Sequence, residues 1–145
     1  MNPRLFAVIS TGALLACVGD PFGSSSTAGL RLSLALSGTQ LQRGEPDTIA
    51  VTITNTSRHS ISLNAGGCPL LFYVTDARGV TVVPSSGGWV CIMILTRLTL
   101  APGESQTNRF VWGTASFEAG SYTVYGSFSA DGVHLETPRT VVQLN

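Results

Sequence analysis

The stretch Leu30-Arg31-Leu32-Ser33-Leu34-Ala35-Leu36 places a leucine at every second position, with small or polar residues between them. This alternation has the period of a β-strand, whose successive side chains point to opposite faces, and not the 3.6-residue period of a helix. Ile49, Val51 and Ile53 repeat the pattern further along the chain. Each stretch therefore predicts a strand with one face buried in an apolar core.

Short β-rich runs continue from these strands to the end of the chain. The longest is residues 92–100, with Ile92, Ile94, Leu98 and Leu100 predicted on one face. Turn residues, such as Pro102-Gly103, separate the runs. The other predicted strands are residues 61–63, 70–75, 80–83, the run through Phe110 and Trp112, residues 122–130 and 140–144. About eight such strands without helical periodicity predict an all-β, antiparallel, immunoglobulin-like β-sandwich over residues 29–145.

Two large aromatic residues carry specific expectations for the core of this sandwich. Trp112 shares a strand face with Phe110, and a side chain of its size is predicted to be largely buried. Tyr122 follows Glu118-Ala119-Gly120-Ser121, which resembles the tyrosine corner of immunoglobulin-like folds. The alternative for Tyr122 is an ordinary strand aromatic, and both interpretations are compatible with a sandwich.

The N-terminal segment, residues 1–17, resembles a bacterial lipoprotein signal peptide. Arg4 precedes an apolar run that is too short to span a bilayer as a helix. The run ends in Leu14-Leu15-Ala16-Cys17, which has the form of a lipobox, so Cys17 is the expected site of lipid attachment. An ordinary secretory signal or a buried N-terminal helix is the alternative. The lipobox predicts a lipid-anchored membrane protein of the bacterial cell envelope, at the outer membrane or the periplasmic face.

Residues 18–28 join this signal to the predicted sandwich. They contain Gly19, Pro21, Gly23 and a run of serines, and they lack the apolar alternation of a strand. Such a composition is typical of a flexible linker. We therefore expect residues 18–28 to be a flexible tether that holds the domain away from the membrane.

Two cysteines remain once Cys17 is assigned to lipid. Cys68 and Cys91 are predicted to form a disulfide, because export places them in an oxidising compartment. The chain-entropy estimate for such a bond is about 3 kcal/mol of stability. A metal site is the alternative, but zinc needs further ligands, and His59 and His134 do not have metal-ligand spacing. We expect no metal and no cofactor.

The charge and the titratable residues point away from nucleic-acid binding and from catalysis. Eight basic residues balance eight acidic ones, which leaves no basic footprint for nucleic acid. The chain has no Gly-x-Ser-x-Gly elbow for a nucleophile. His59 and His134 lie in predicted turns, and most carboxylates lie beside Gly or Pro. The sequence therefore predicts a protein that is not an enzyme.

An ordered set of short motifs resembles the BsuPI domain, an immunoglobulin-like sandwich named for a bacterial intracellular proteinase inhibitor. The motifs are Val51-Thr52-Ile53-Thr54-Asn55-Thr56-Ser57, then Phe72-Tyr73-Val74-Thr75-Asp76, then Leu98-Thr99-Leu100-Ala101-Pro102-Gly103-Glu104-Ser105, then Trp112, and last Ala119-Gly120-Ser121-Tyr122-Thr123-Val124. The resemblance implies the same fold and a peptidase as partner. The chain departs from the family pattern in residues 80–89, where that family is rich in tryptophan, and in its expected export.

The segment Pro84-Ser85-Ser86-Gly87-Gly88-Trp89-Val90 is the candidate contact loop. Serine and glycine give its backbone freedom, Trp is a common interface anchor, and a disulfide at Cys91 would reduce the ordering cost of binding. In the alternative interpretation, Trp89 folds back over the sandwich edge and the loop only connects strands.

Three functions are compatible with these observations. The first is a non-catalytic binding or interaction module with a protein partner, tethered to the cell envelope. The second is a secreted peptidase inhibitor of BsuPI type. The third is a structural component of the envelope.

Overall fold

The fold is known from a computed structural model that describes residues 24–27 and 29–145. Within these residues the chain forms strands and turns, and it contains no helix that is long and apolar enough to cross a membrane. The strands are β1 (Ser24–Thr27), β2 (Leu30–Leu36), β3 (Gln40–Leu41), β4 (Asp47–Asn55), β5 (Ile61–Thr75), β6 (Thr81–Val83), β7 (Thr96–Leu100), β8 (Ser105–Trp112), β9 (Gly120–Ala130), β10 (Val133–Glu136) and β11 (Thr140–Leu144). The predicted signal peptide, Cys17 and residues 18–23 and 28 of the tether lie outside the described residues.

The strands form two sheets that face each other, which confirms the predicted all-β sandwich. One sheet has the order β1-β2-β4-β8, and the other has the order β3-β11-β9-β5-β6, with β10 also paired to β9 and β7 to β5. All pairings are antiparallel except that of β11 with β3. The strand count exceeds the expected number because the short strands β1, β3 and β10 carry little apolar alternation.

The core lies between the two sheets and is built from the alternating residues. Leu32 in β2 pairs with Ile53 in β4, and Leu36 pairs with Ile49, so the two alternating runs share one buried face. The second sheet supplies the opposite side of the core. Its buried apolar side chains are Leu41, Ala65, Leu70, Phe72, Val74, Leu100, Tyr122, Val124, Phe128, Ala130, Leu135, Val142 and Leu144.

An aromatic corner closes one end of the core. Trp112 is buried at the end of β8, and its ring meets Phe117 and Tyr122 edge to face, with centroids 5.5 Å and 5.8 Å apart. The Tyr122 hydroxyl donates to the Glu118 carbonyl at 2.9 Å. The predicted burial of Trp112 and the tyrosine corner at Tyr122 are both confirmed.

The structure differs from the predicted tether at Ser24–Thr27. These residues form β1, an edge strand that pairs with β2, from Ser24 opposite Ser33 to Thr27 opposite Leu30. Gly29 lies in the turn between the two strands with φ at 77°, a backbone conformation that is strained for a residue with a Cβ atom. A strand pairs with the free backbone N–H and C=O groups of a sheet edge whether its side chains are polar or apolar. The sandwich therefore begins within the segment that the sequence assigns to the tether.

Candidate functional site

A bulge in β5 sets the geometry of one end of the second sheet. Ala65 pairs with Ala130 of β9 and Leu70 pairs with Phe128, so five residues of β5 advance against two of β9. Residues 66–69 therefore lie opposite the single residue Ser129, and three of these four residues are in excess of the ladder. We call residues 66–69 the β5 bulge. Cys68 lies within it.

The Cys68–Cys91 disulfide is present, as the sequence predicts. The two Cα atoms are 5.6 Å apart, and the bond joins the β5 bulge to the chain that follows Trp89. Because both thiols are consumed, the alternative metal site at these cysteines is wrong. The bond fixes one end of the segment that continues beyond Cys91.

The candidate contact loop, residues 84–90, has its tryptophan folded inward. The Trp89 indole N–H donates to the Phe72 carbonyl at 3.0 Å, and the ring contacts Phe72 and Phe110, with centroids 5.1 Å and 5.8 Å away. The structure thus places Trp89 over the sandwich edge, as in the alternative interpretation. Residues 85–88 stay exposed and form a turn in which the Gly88 amide bonds to the Ser85 carbonyl.

A run of exposed apolar residues begins at Val90, the last residue of this segment, and comprises residues 90–95, which we call the apolar loop. Val90, Met93 and Leu95 are 98%, 102% and 85% exposed, and Ile92 and Ile94 are also exposed. Five large apolar side chains within six residues are therefore open to solvent. A continuous exposed apolar surface of this kind commonly marks an interaction site.

The predicted strand over residues 92–100 is wrong in its first half. Strand β7 begins at Thr96, where Thr96 pairs with Ala65, and the pairing continues to Leu100 opposite Ile61. Residues before Thr96 have no ladder partner because the β5 bulge begins immediately after Ala65. Ile92 and Ile94 consequently lie outside the core, although Leu100 is buried as expected.

The apolar loop packs against the β5 bulge at Gly67. A Cβ atom added to Gly67 would overlap the Ile92 carbonyl oxygen, whereas a Cβ atom on Gly66 would meet nothing within 4 Å. Between bulge and loop is an open cleft of about 570 Å³ lined by the two glycines, the disulfide, residues 92–95 and Ser129. Only a glycine at position 67 allows the loop backbone to approach this closely.

The sequence carries one signal of the apolar loop. Ile92-Met93-Ile94-Leu95 is a run of four consecutive large apolar residues without alternation, next to a cysteine. Such a run fits a strand buried on both faces or an exposed binding segment, and periodicity does not distinguish them. The contact surface predicted at residues 84–90 is thus adjacent to the exposed apolar segment and overlaps it at Val90.

The titratable groups with displaced pKa values are explained by local structure away from the apolar loop. A hydrogen bond from the Val80 amide, aided by the Arg78 guanidinium, lowers the pKa of Asp76 in the hairpin turn. Burial raises the pKa of Tyr125, whose ring also lies under the Arg139 guanidinium at 4.6 Å. His134 is exposed and lies 3.7 Å from a Glu136 carboxylate oxygen.

Comparison with protein families matches residues 34–133 to BsuPI, described as intracellular proteinase inhibitor. The matched range runs from within β2 to the start of β10 and includes the β5 bulge, the disulfide and the apolar loop. The chain belongs to the BsuPI family. The predicted resemblance is therefore confirmed, and the family is one of inhibitors and not of enzymes. No curated protein matches the chain.

The BsuPI sandwich of this chain is also similar to parts of larger solved structures. The sporulation control protein Spo0M of Bacillus subtilis aligns with a TM-score of 0.54 and 9% identity over 82% of this chain and 50% of Spo0M. A β-glucosidase of Listeria innocua aligns with a TM-score of 0.49 and 18% identity over 84% of this chain and 16% of the enzyme. This chain thus spans half or less of these proteins, and the likeness to Spo0M shows the fold alone.

Proposed function

We propose that this protein is a non-catalytic binding module that inhibits an endopeptidase at the bacterial cell envelope. The observation that carries the proposal is the apolar loop, an uncharged and solvent-exposed segment fixed at Cys91 by a disulfide. The membership of the BsuPI family supports a peptidase as the partner.

The shape of the apolar loop is suited to a peptidase cleft. Endopeptidases bind a short segment of chain whose side chains enter pockets and whose backbone is held in the cleft. The apolar loop has no hydrogen-bonded partner strand, and apart from the bond between the Ile94 amide and the Ile92 carbonyl, its backbone groups are open to such contacts. The disulfide at Cys91 and the β7 pairing that begins at Thr96 hold both ends, which reduces the entropy lost on binding.

Inhibition assays on the full chain test this proposal. We expect the wild type to inhibit at least one of chymotrypsin, subtilisin and trypsin, and Leu95→Asp to lose that inhibition because a carboxylate enters the contact. Val141→Asp is the matched control, since Val141 is an exposed valine on β11 and far along the sheet from the apolar loop. This control variant should inhibit as the wild type does.

A membrane-binding loop is the outcome that would contradict this function. Its signature would be cosedimentation of the wild type with phosphatidylglycerol vesicles, lost in Leu95→Asp, together with no inhibition of any of the three peptidases. The comparison is made with Cys17→Ser, so that an acyl chain does not supply the vesicle binding.

We also propose that the protein is held at the envelope by acylation of Cys17, which the lipobox form of Leu14-Leu15-Ala16-Cys17 supports. Growth with a labelled fatty acid is expected to mark the wild-type chain and to leave Cys17→Ser unmarked, because the thiol is the acyl acceptor. Equal labelling of the two chains would rule out this anchor.

A further inference from the structure

The apolar loop has one residue at its apex. The Ile94 amide donates to the Ile92 carbonyl at 2.8 Å, a bond across one residue that turns the backbone at Met93. The Met93 side chain is fully exposed, and the side chains of Ile92 and Ile94 on each side of it are less so. Met93 is thus presented outward, and its neighbours form the shoulders of the turn.

The base of this turn is held by independent contacts. On one side, Cys91 is bonded to Cys68, and the Ile92 carbonyl lies against Gly67. On the other side, Thr96 begins β7, and its hydroxyl lies 3.4 Å from the Ala65 carbonyl oxygen. The contacts restrain the backbone on both sides of Met93 and leave its side chain free. Such a pre-organised apex meets a pocket at a low ordering cost.

The chemistry of the apex determines which pocket it fits. Methionine is long, unbranched and polarizable, and it adapts to irregular apolar cavities. Residues 90–96 carry no charged side chain, so the apex offers no charge that could pair with a charged group inside a pocket. A carboxylate at the base of a pocket would be desolvated by Met93 without compensation, which is unfavourable. An apolar pocket would gain the buried area of the side chain.

We infer that Met93 is the residue that fills the primary specificity pocket of the target endopeptidase, and that this pocket is apolar. The inference rests on the proposed function and adds to it the specificity class of the partner and the side chain that occupies the partner's specificity pocket. The target is thereby an enzyme that cleaves after large uncharged residues, as chymotrypsin does with its hydrophobic slot, and not one of trypsin type, whose pocket holds a carboxylate.

Exchange of the apex side chain tests the inference, with the full chain, chymotrypsin and trypsin as probes. Met93→Arg is expected to raise the inhibition constant for chymotrypsin by about 100-fold, because a guanidinium does not fit an apolar slot, and to create inhibition of trypsin. Met93→Leu keeps an apolar side chain and should inhibit chymotrypsin within a few-fold of the wild type.

The matched control is Val141→Arg, which places the same charge on an exposed valine of β11, outside the apolar loop. It should inhibit chymotrypsin as the wild type does and gain no inhibition of trypsin. If Met93→Arg inhibits chymotrypsin as well as the wild type, or if Val141→Arg gains trypsin inhibition as Met93→Arg does, Met93 is not the specificity residue. A wild type that inhibits trypsin but not chymotrypsin also overturns the inference and leaves the proposed function standing. A wild type that inhibits neither, nor subtilisin, overturns the proposed function itself.

Discussion

Trp112→Ala is expected to lower the free energy of unfolding by about 3 to 5 kcal/mol, the cost of deleting a large aromatic from a packed core. Trp112 is 2% exposed and makes edge-to-face contacts with Phe117 and Tyr122. These contacts join the end of β8 to the corner before β9, so the cavity left by alanine would lie where the two sheets meet. Urea denaturation followed by circular dichroism measures the loss.

Two further variants separate the ring from its position on the strand. Among the described residues the Trp112 indole N–H makes no hydrogen bond, so Trp112→Phe removes a buried donor that has no partner and keeps an aromatic ring. This variant should lose about 1 kcal/mol, well below the alanine variant. Val111→Ala, on the 70% exposed neighbour, should stay within about 0.5 kcal/mol of the wild type. A loss below about 1 kcal/mol for Trp112→Ala would contradict its role in the core.

The sandwich was predictable because burial on one face leaves a period of two in the sequence. The leucines of β2 and the branched residues of β4 alternate without interruption, and both sets are buried. Tyr122 was predictable for a similar reason, since the corner motif requires a tyrosine just inside a late strand after a glycine. Such local constraints act on residues that are close together in the chain.

The candidate site was less predictable because it depends on a partner strand. Ile92 and Ile94 have the composition of strand residues, but a strand needs a backbone to pair with, and the β5 bulge removes it. The bulge follows from the register of β5 against β9, which joins residues distant in sequence. Trp89 likewise has no local signal for its direction, since its hydrogen bond goes to Phe72 on another strand.

Gly67→Ala should abolish most of the inhibitory activity while the sandwich stays folded. The added Cβ atom would overlap the Ile92 carbonyl oxygen and lie 3.0 Å from the carbonyl carbon. Both are backbone atoms, so no side-chain rotation relieves the clash, and the apolar loop must move away from the β5 bulge. The disulfide one residue later opposes a simple outward shift, so the turn at Met93 has to change its shape.

Misplacing the central contact of an interface commonly costs 2 kcal/mol or more, so we expect the inhibition constant of Gly67→Ala to rise by about 30-fold or more. Gly66→Ala is the matched control, because a Cβ atom there meets nothing within 4 Å, and it should inhibit as the wild type does. Amide hydrogen exchange gives a second measurement that needs no peptidase: residues 92–95 should change protection in Gly67→Ala, and the strands of the core should not. Equal inhibition by the two alanine variants would mean that the position of the apolar loop over Gly67 is irrelevant to binding, and the contact surface would then have to be sought in another part of the sandwich.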